Sequence, residues 1–251
     1  MRIAIKFAYN GSKFNGYARQ PNQKTVEGDL IKALTKKGYI KNPKESIFRS
    51  ASRTDRDVSS LGSVISFNTN KSEMNILQDL SAELLDIIAY GFAKVEPDFY
   101  PRYARYRRYR YFLKNEDFNV KKIITAASCF TGKHNFSNFA KVEEFKIPIR
   151  EIDNIVIELK ENFLIIEFFA KTFLWNQIRR IISALEKIGN GKLSENEIIE
   201  ALEHPDKKFD FGISPAKTLM LMNIVYDFDF KYDKKLMKTV KSFKRKIIDS
   251  F

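Results

Sequence analysis

Cysteine occurs once in the 251 residues, at Cys129, so no intramolecular disulfide can form, which fits a reducing compartment. Histidine occurs twice, at His134 and His204, too few for a multi-His or Cys/His metal site. The two histidines lie in different segments, which leaves little material for a Ser-His-Asp or Cys-His triad. Long apolar runs are missing as well: none approaches the ~18 residues of a membrane span. The longest, around Phe163–Ala170, is broken by Glu167. The opening MRIAIKFAYNGS carries Arg2 and Lys6 inside its apolar run, unlike a signal peptide. We therefore expect a cytoplasmic protein, soluble and away from membranes. Its chemistry should run on carboxylates, phenols, amines or hydroxyls, with no metal and no cofactor.

What the chain has in excess is positive charge. Lys and Arg number 44 against 31 Asp and Glu, a formal net charge of +13 with a pI near 9.6. That balance favours a polyanionic partner, nucleic acid being the common one, although a basic charge can also serve solubility alone. With 44% hydrophobic and 14% aromatic residues the composition is globular, and the length suffices for a sizeable core.

Periodicity orders the elements. Ile3, Ile5 and Phe7 alternate over residues 2–9 and predict a strand. Val26, Leu30 and Leu34 predict a helix from Thr25 to about Gly38. Residues 47–52 and 61–68 read as strands. A helix opening at Ser72 carries Leu77, Leu80, Leu84 and Ile88 up to Gly91, and a short strand follows to Glu96. Beyond Pro97 and Pro101 the same order recurs. It comprises a strand over Tyr103–Leu113, a helix over Val120–Cys129, and strands over 149–159 and 162–171 joined by a turn at Glu161–Asn162. A helix over Trp175–Ile188 follows, stopped at Gly189-Asn190-Gly191. Ser194 and Glu197 form a capping box for the next helix, and the last strand covers Leu219–Phe230. The expected fold is thus α+β, with two pseudo-duplicated ferredoxin-like β-α-β-β-α-β halves, 1–98 and 99–251, mainly antiparallel sheets and a central basic cleft. The tail, 231–248, reads as a basic amphipathic helix with Leu236, Val240, Phe243 and Ile247 on its apolar face. It either docks on the core with a solvated basic face or offers that face to RNA.

Three segments could carry chemistry. Residues 100–111, YPRYARYRRYRY, hold five tyrosines and five arginines. On a strand, Tyr103, Arg105, Arg107, Tyr109 and Tyr111 share one face, and Tyr106, Arg108 and Arg110 the other. Guanidinium forks suit phosphates and phenol rings suit unpaired bases. The competing reading is a core strand with inward tyrosines and snorkelling arginines. In the loop Arg53-Thr54-Asp55-Arg56-Asp57, flanking cations keep a carboxylate ionised, so it could serve as nucleophile or base. Such interstrand turns are more often solvated ion pairs. Finally, Arg179 and Arg180 sit in the first turns of their helix, against its dipole, which hints at an anionic partner, though plain surface exposure is the commoner explanation. Gly189–Lys192 lacks phosphate-loop spacing, and Gly91–Val95 only partly matches an RNA-recognition strand.

Taken in order, several blocks resemble the TruA family of tRNA pseudouridine synthases. Tyr9-Asn10-Gly11-Ser12-Lys13-Phe14-Asn15-Gly16-Tyr17 is similar to Y-D-G-x-x-F-x-G-W. The stretch Ser52 to Gly62 is similar to G/S-R-T-D-x-G-V-x-A-x-G, and Arg107 to Tyr111 to R-R-Y-x-Y. Gly132 to Phe139 is similar to G-x-H-D/N-F-x-x-F, Phe173 to Arg179 to F-x-x-x-x-V/I-R, and Ser214-Pro215-Ala216 to the start of A-P-x-G-L. The resemblance implies isomerisation of uridine to pseudouridine in the tRNA anticodon stem-loop, at positions 38 to 40. It implies Asp55 as the essential carboxylate, Tyr109 stacked on the target base, Arg179 paired with Asp55, and Arg53 holding the flipped nucleotide. It also implies a homodimer. Arg102, Arg105, Arg107, Arg108 and Arg110 are the candidate RNA-binding residues. Two positions depart from the pattern: Asp57 and Thr218 stand where the family has glycine.

The implied chemistry agrees with the inventory. Moving ribose C1′ from N1 to C5 of uracil needs neither redox change nor incoming water, so one carboxylate suffices where glycosidases need two. Attack at C1′, attack at C6 and removal of the C2′ proton all remain open to that carboxylate. The competing classes are a non-catalytic RNA-binding protein with paired ferredoxin-like halves and an N-glycosylase.

Overall fold

The computed structural model describes residues 1–144, 146–160 and 162–251. In chain order the elements begin β1 (Arg2–Tyr9), α1 (Val26–Lys36), β2 (Arg49–Ser50), β3 (Ser59–Asn68), α2 (Glu73–Glu83) and β4 (Ile87–Val95). They continue with β5 (Tyr106–Lys114), α3 (Val120–Ser128), β6 (Gly132–Asn135), β7 (Ile149–Ile152), β8 (Asn154–Lys160) and β9 (Phe163–Ala170). The last are α4 (Gln177–Gly189), α5 (Glu195–Glu203), β10 (Leu219–Val225), β11 (Lys231–Tyr232) and α6 (Lys234–Ile248). Two compact units result, Met1–Arg105 with Met220–Phe251, and Tyr106–Leu219. The expected division at residue 98 differs in that the last strands and helix pack with the N-terminal segment.

In the first unit the strand order is β11-β4-β1-β3-β10, with β2 also on β3. Only β3–β10 is parallel; β2 and β10 share one edge of β3, at Ser66/Ile65 and Ser59/Ser60. Every residue of β1 is buried, so both faces of the sheet are covered. Ile3, Ile5, Phe7 and Tyr9 meet Leu30, Leu34, Ile76, Leu77 and Leu80 on the helical side. On the opposite face Arg2 and Lys6 are buried charges. Arg2 is satisfied by the Phe99 carbonyl, Ser66 Oγ and Asn68 Oδ1 at 2.8–3.1 Å. Rings of Tyr226, Phe228, Phe230 and Tyr232 run along the covering segment at 5.2–6.4 Å between neighbours. The α6 stripe docks here as well, with Val240 and Ile247 buried beside Ala8, Ile88 and Tyr90.

Ile88 and Gly91 correct the expected helix: α2 stops at Glu83, and both residues lie in β4. Gly91 is a close-approach position, since a Cβ there would lie 2.8 Å from the Tyr232 ring. The strand expected from Tyr103 begins at Tyr106. The expected strand over 149–159 is two, because β7 pairs with β6 in its own small sheet while β8 pairs with β9. The last strand is likewise interrupted, β10 ending at Val225 before the ring-bearing segment. Glu161 of the expected Glu161–Asn162 turn lies outside the described residues.

The second unit carries the antiparallel ladder β5-β9-β8. Gly189 lets α4 approach α3 closely, since a Cβ there would lie 2.7 Å from Ile123 Cδ1. The Ser194–Glu197 capping box forms as the sequence indicates. The Gly132–Phe139 block is structural: Phe136 and Phe139 are fully buried, and Phe139 stacks on Phe211 at 4.8 Å. His134 meets the Thr131 carbonyl and, edge-to-face, the Phe136 ring.

Candidate active site

The Arg-Thr-Asp loop joins β2 to β3, and two blocks far apart in sequence meet there. The Tyr9 hydroxyl lies 2.7 Å from Thr54 Oγ1, and the Tyr17 amide donates to the Thr54 carbonyl at 3.2 Å. Gly11 donates to Ser59 Oγ at 3.0 Å, and a Cβ at Gly11 would sit 2.3 Å from the Val58 carbonyl oxygen. Only glycine fits there. The Val58 amide closes the turn onto the Asp55 carbonyl at 3.3 Å, with Asp57 at φ +68°. This is the turn position that usually takes glycine, whose missing Cβ removes the clash that left-handed backbone imposes. Asp55 is half-buried on this clamped turn, Arg53 and Arg56 are exposed, and Arg56 reaches Asp57 at only 3.9 Å. Behind the turn, Tyr9 and Tyr17 are buried with ring centroids 6.1 Å apart, and burial pushes the Tyr17 phenol well above its ordinary range. The result is a carboxylate held at the surface by a rigid backing.

In the second unit β5 alternates as expected: Arg107, Tyr109 and Tyr111 are buried, and Tyr106, Arg108 and Arg110 half-buried. The Tyr109 ring, 8% exposed, packs edge-to-face on Phe173 at 5.3 Å. Arg179 on α4 donates from Nε to the Ser214 carbonyl at 2.8 Å and from Nη1 to Asn176 Oδ1 at 3.3 Å, while the Ser214 amide returns a bond to the Arg179 carbonyl. These acceptors give the guanidinium local anchors in a helix turn whose dipole opposes it. Ser214 in turn donates from its hydroxyl to Glu186, whose carboxyl is pushed up by burial and further by Glu116. Sequence reading missed Glu186, although it lies two helical turns beyond Arg179 on the same face. Thr218 takes no left-handed backbone; its carbonyl accepts from the Phe112 amide at 3.1 Å.

The five candidate RNA-binding arginines occupy different environments. Arg102 and Arg105 are exposed, and Arg105 has Asp227 at 3.5 Å. Arg107 is buried and donates to the Lys171 carbonyl. Arg108 and Arg110 converge on Glu167, at 2.6–3.1 Å and 2.7 Å respectively. Burial alone would raise the Glu167 carboxyl; the two guanidiniums outweigh it and hold it below its ordinary range. Glu167 thus interrupts the apolar run because its cross-strand neighbour is Arg110. Among the described residues, no cluster of His, Cys, Asp and Glu could hold a metal ion, and no helix is long and apolar enough to cross a membrane.

Fold and site together define an α+β protein with an acid-bearing turn and an arginine- and tyrosine-rich strand. Comparison with known proteins narrows that class. The model of a family described as tRNA pseudouridine synthase matches residues 126–227. The tRNA pseudouridine synthase A of Thermococcus sibiricus is 45% identical over 244 residues, covering 96% of this chain and 91% of its own length. That of Thermococcus kodakarensis is 39% identical over 95% of this chain and 90% of its own, and that of Pyrococcus furiosus 38% over 100% and 92%. The chain belongs to the TruA family of tRNA pseudouridine synthases.

Proposed function

We propose that this protein isomerises uridine to pseudouridine in the anticodon stem-loop of tRNA, at positions 38 to 40, with Asp55 as the essential carboxylate. The N1–C1′ bond breaks, C1′ bonds to C5, and the C5 proton is lost as N1 regains one, so atoms balance without cofactor or water. Arg179 is the expected ion partner of that carboxylate, Tyr109 the platform for the target base, and Arg53 a contact to the everted nucleotide. Eversion costs a few kcal/mol, which phosphate and stacking contacts must offset. Arg102 and Arg105 are exposed and suit phosphates. Arg107, Arg108 and Arg110 have protein acceptors, so their share in RNA binding is to shape and position the strand. A basic cleft for the stem-loop, a homodimer and a cytoplasmic location complete the reading.

The observation that carries it is the Asp55 turn, clamped by Tyr9, Gly11 and Tyr17 so that one half-buried carboxylate is presented on rigid backing. The test is Asp55→Asn, assayed for both binding and pseudouridine formation on a tRNA transcript. Binding retained with product abolished is expected. Unchanged product would overturn the assignment, and released uracil would indicate a glycosylase.

A further inference from the structure

The protein's single tryptophan, Trp175, is 45% exposed although the backbone at and beside it is hydrogen-bonded. Its carbonyl accepts from the Lys141 amide at 2.8 Å in an isolated antiparallel bridge. On its N-terminal side the Leu174 amide donates to the buried Gln177 side chain at 2.8 Å, and on its C-terminal side Asn176 turns the chain into α4 at φ +63°. Lys141 returns over the indole with Nζ 4.2 Å from the ring centroid. Trp175 thus presents a large aromatic ring to solvent with a cation beside it, the pair of features that nucleotide stacking uses.

Its position narrows that use. Phe173, which packs against Tyr109, lies two residues earlier in the same extended segment, so the two backbone positions are separated by at most about 7 Å. We propose that Trp175 and Lys141 form the subsite for the nucleotide next to the isomerised uridine. The indole stacks on that nucleotide's base, and the Lys141 ammonium neutralises its phosphate. Stacking of this kind accepts any base, so the subsite adds affinity and register without reading sequence. The inference rests on Tyr109 being the platform for the target base.

Because Trp175 is the only tryptophan, the intact wild-type protein reports on the site directly. Titration with an anticodon stem-loop RNA should quench its fluorescence along the binding curve that anisotropy of the labelled RNA gives. Trp175→Ala should raise KM about tenfold with kcat little changed, and Trp175→Phe should restore most of the loss. Lys141→Gln should lower the slope of log affinity against log salt by about 0.7. An abasic substitution at the neighbouring nucleotide should bring wild type and Trp175→Ala to equal KM. RNA that binds and is isomerised with silent fluorescence, or an alanine penalty that survives the abasic substitution, overturns the subsite alone. RNA that neither binds nor reacts overturns the functional reading with it.

Discussion

The Tyr9 hydroxyl and Thr54 Oγ1 lie 2.7 Å apart, joining the end of the first strand to the residue that precedes Asp55. The aromatic residue that opens the first sequence block is therefore a support for the acid-bearing loop. A hydrogen bond of this kind is worth about 1 kcal/mol net, small against the stability of a domain and large for the placement of a reacting group. Tyr9→Phe keeps the buried ring and removes the tether. It should lower kcat severalfold and cost at most about 1 kcal/mol of stability; these are read from single-turnover assays and denaturant melts.

Asp57 occupies left-handed backbone where the family pattern has glycine. The Cβ makes that conformation unfavourable by about 1–2 kcal/mol for most residues, less for Asp, while glycine loses more entropy on folding. The two effects nearly offset each other for Asp, so Asp57→Gly should change stability by less than about 0.5 kcal/mol, since the exposed pair with Arg56 at 3.9 Å contributes little. Asp57→Val should cost more than 1 kcal/mol. Urea denaturation of the two variants measures both changes.

Arg179 is anchored through Ser214, and Ser214 through Glu186. Ser214→Ala and Glu186→Ala should both reduce kcat about tenfold by loosening the guanidinium, with RNA affinity retained. Glu186→Gln keeps an acceptor for the hydroxyl and should preserve most activity. Burial raises the Glu186 carboxyl above 4.5, so the folded state binds its proton more tightly and stability falls as pH rises through that window. The glutamine variant should lack that fall, which melts between pH 4 and pH 7 would show.

Lys6 is buried on the central strand, with Nζ 4.9 Å from the Phe230 ring centroid, and burial lowers its ammonium from 10.5 to about 8. Between those values the unfolded chain holds the proton and the folded chain has released it. Stability therefore rises with pH across that window and is lowest where Lys6 is charged in both states. Lys6→Met should abolish this rise and stabilise the protein at neutral pH, by at most about 3 kcal/mol. Thermal melts from pH 7 to pH 10.5 measure it; a parallel dependence in both proteins would contradict it.

Much of this architecture was legible in the chain, and the exceptions are instructive. Amphipathic spacing marks α1 and α6 because a helix that buries one face must repeat its apolar residues on that face, and the Ser194–Glu197 capping box marks the start of α5. The same spacing misleads at Leu84 and Ile88, where the i,i+4 interval also spans the end of a helix and the start of a strand. Gly91 reads as a helix stop, yet its reason is the Tyr232 ring, which arrives from the far end of the chain. At the site, the Arg-Thr-Asp block and the departure of Asp57 from the family's glycine were readable. That Tyr9 and Gly11 are the clamp of that loop was not.

By itself the sequence marked most of the elements, the alternation along β5 and the basic charge, and only the family resemblance singled out the Asp55 carboxylate. The elements and the alternation follow from periodicity and local backbone preference, which act over a few residues. Tertiary structure alone decided which arginines are exposed and which are tied to acceptors. On one strand face Arg108 and Arg110 look equivalent to any phosphate-binding pair until β9 brings Glu167 opposite them. It also decided that the C-terminal helix covers the first unit. Such choices depend on register and on long-range burial, and neither leaves a local signature in the chain.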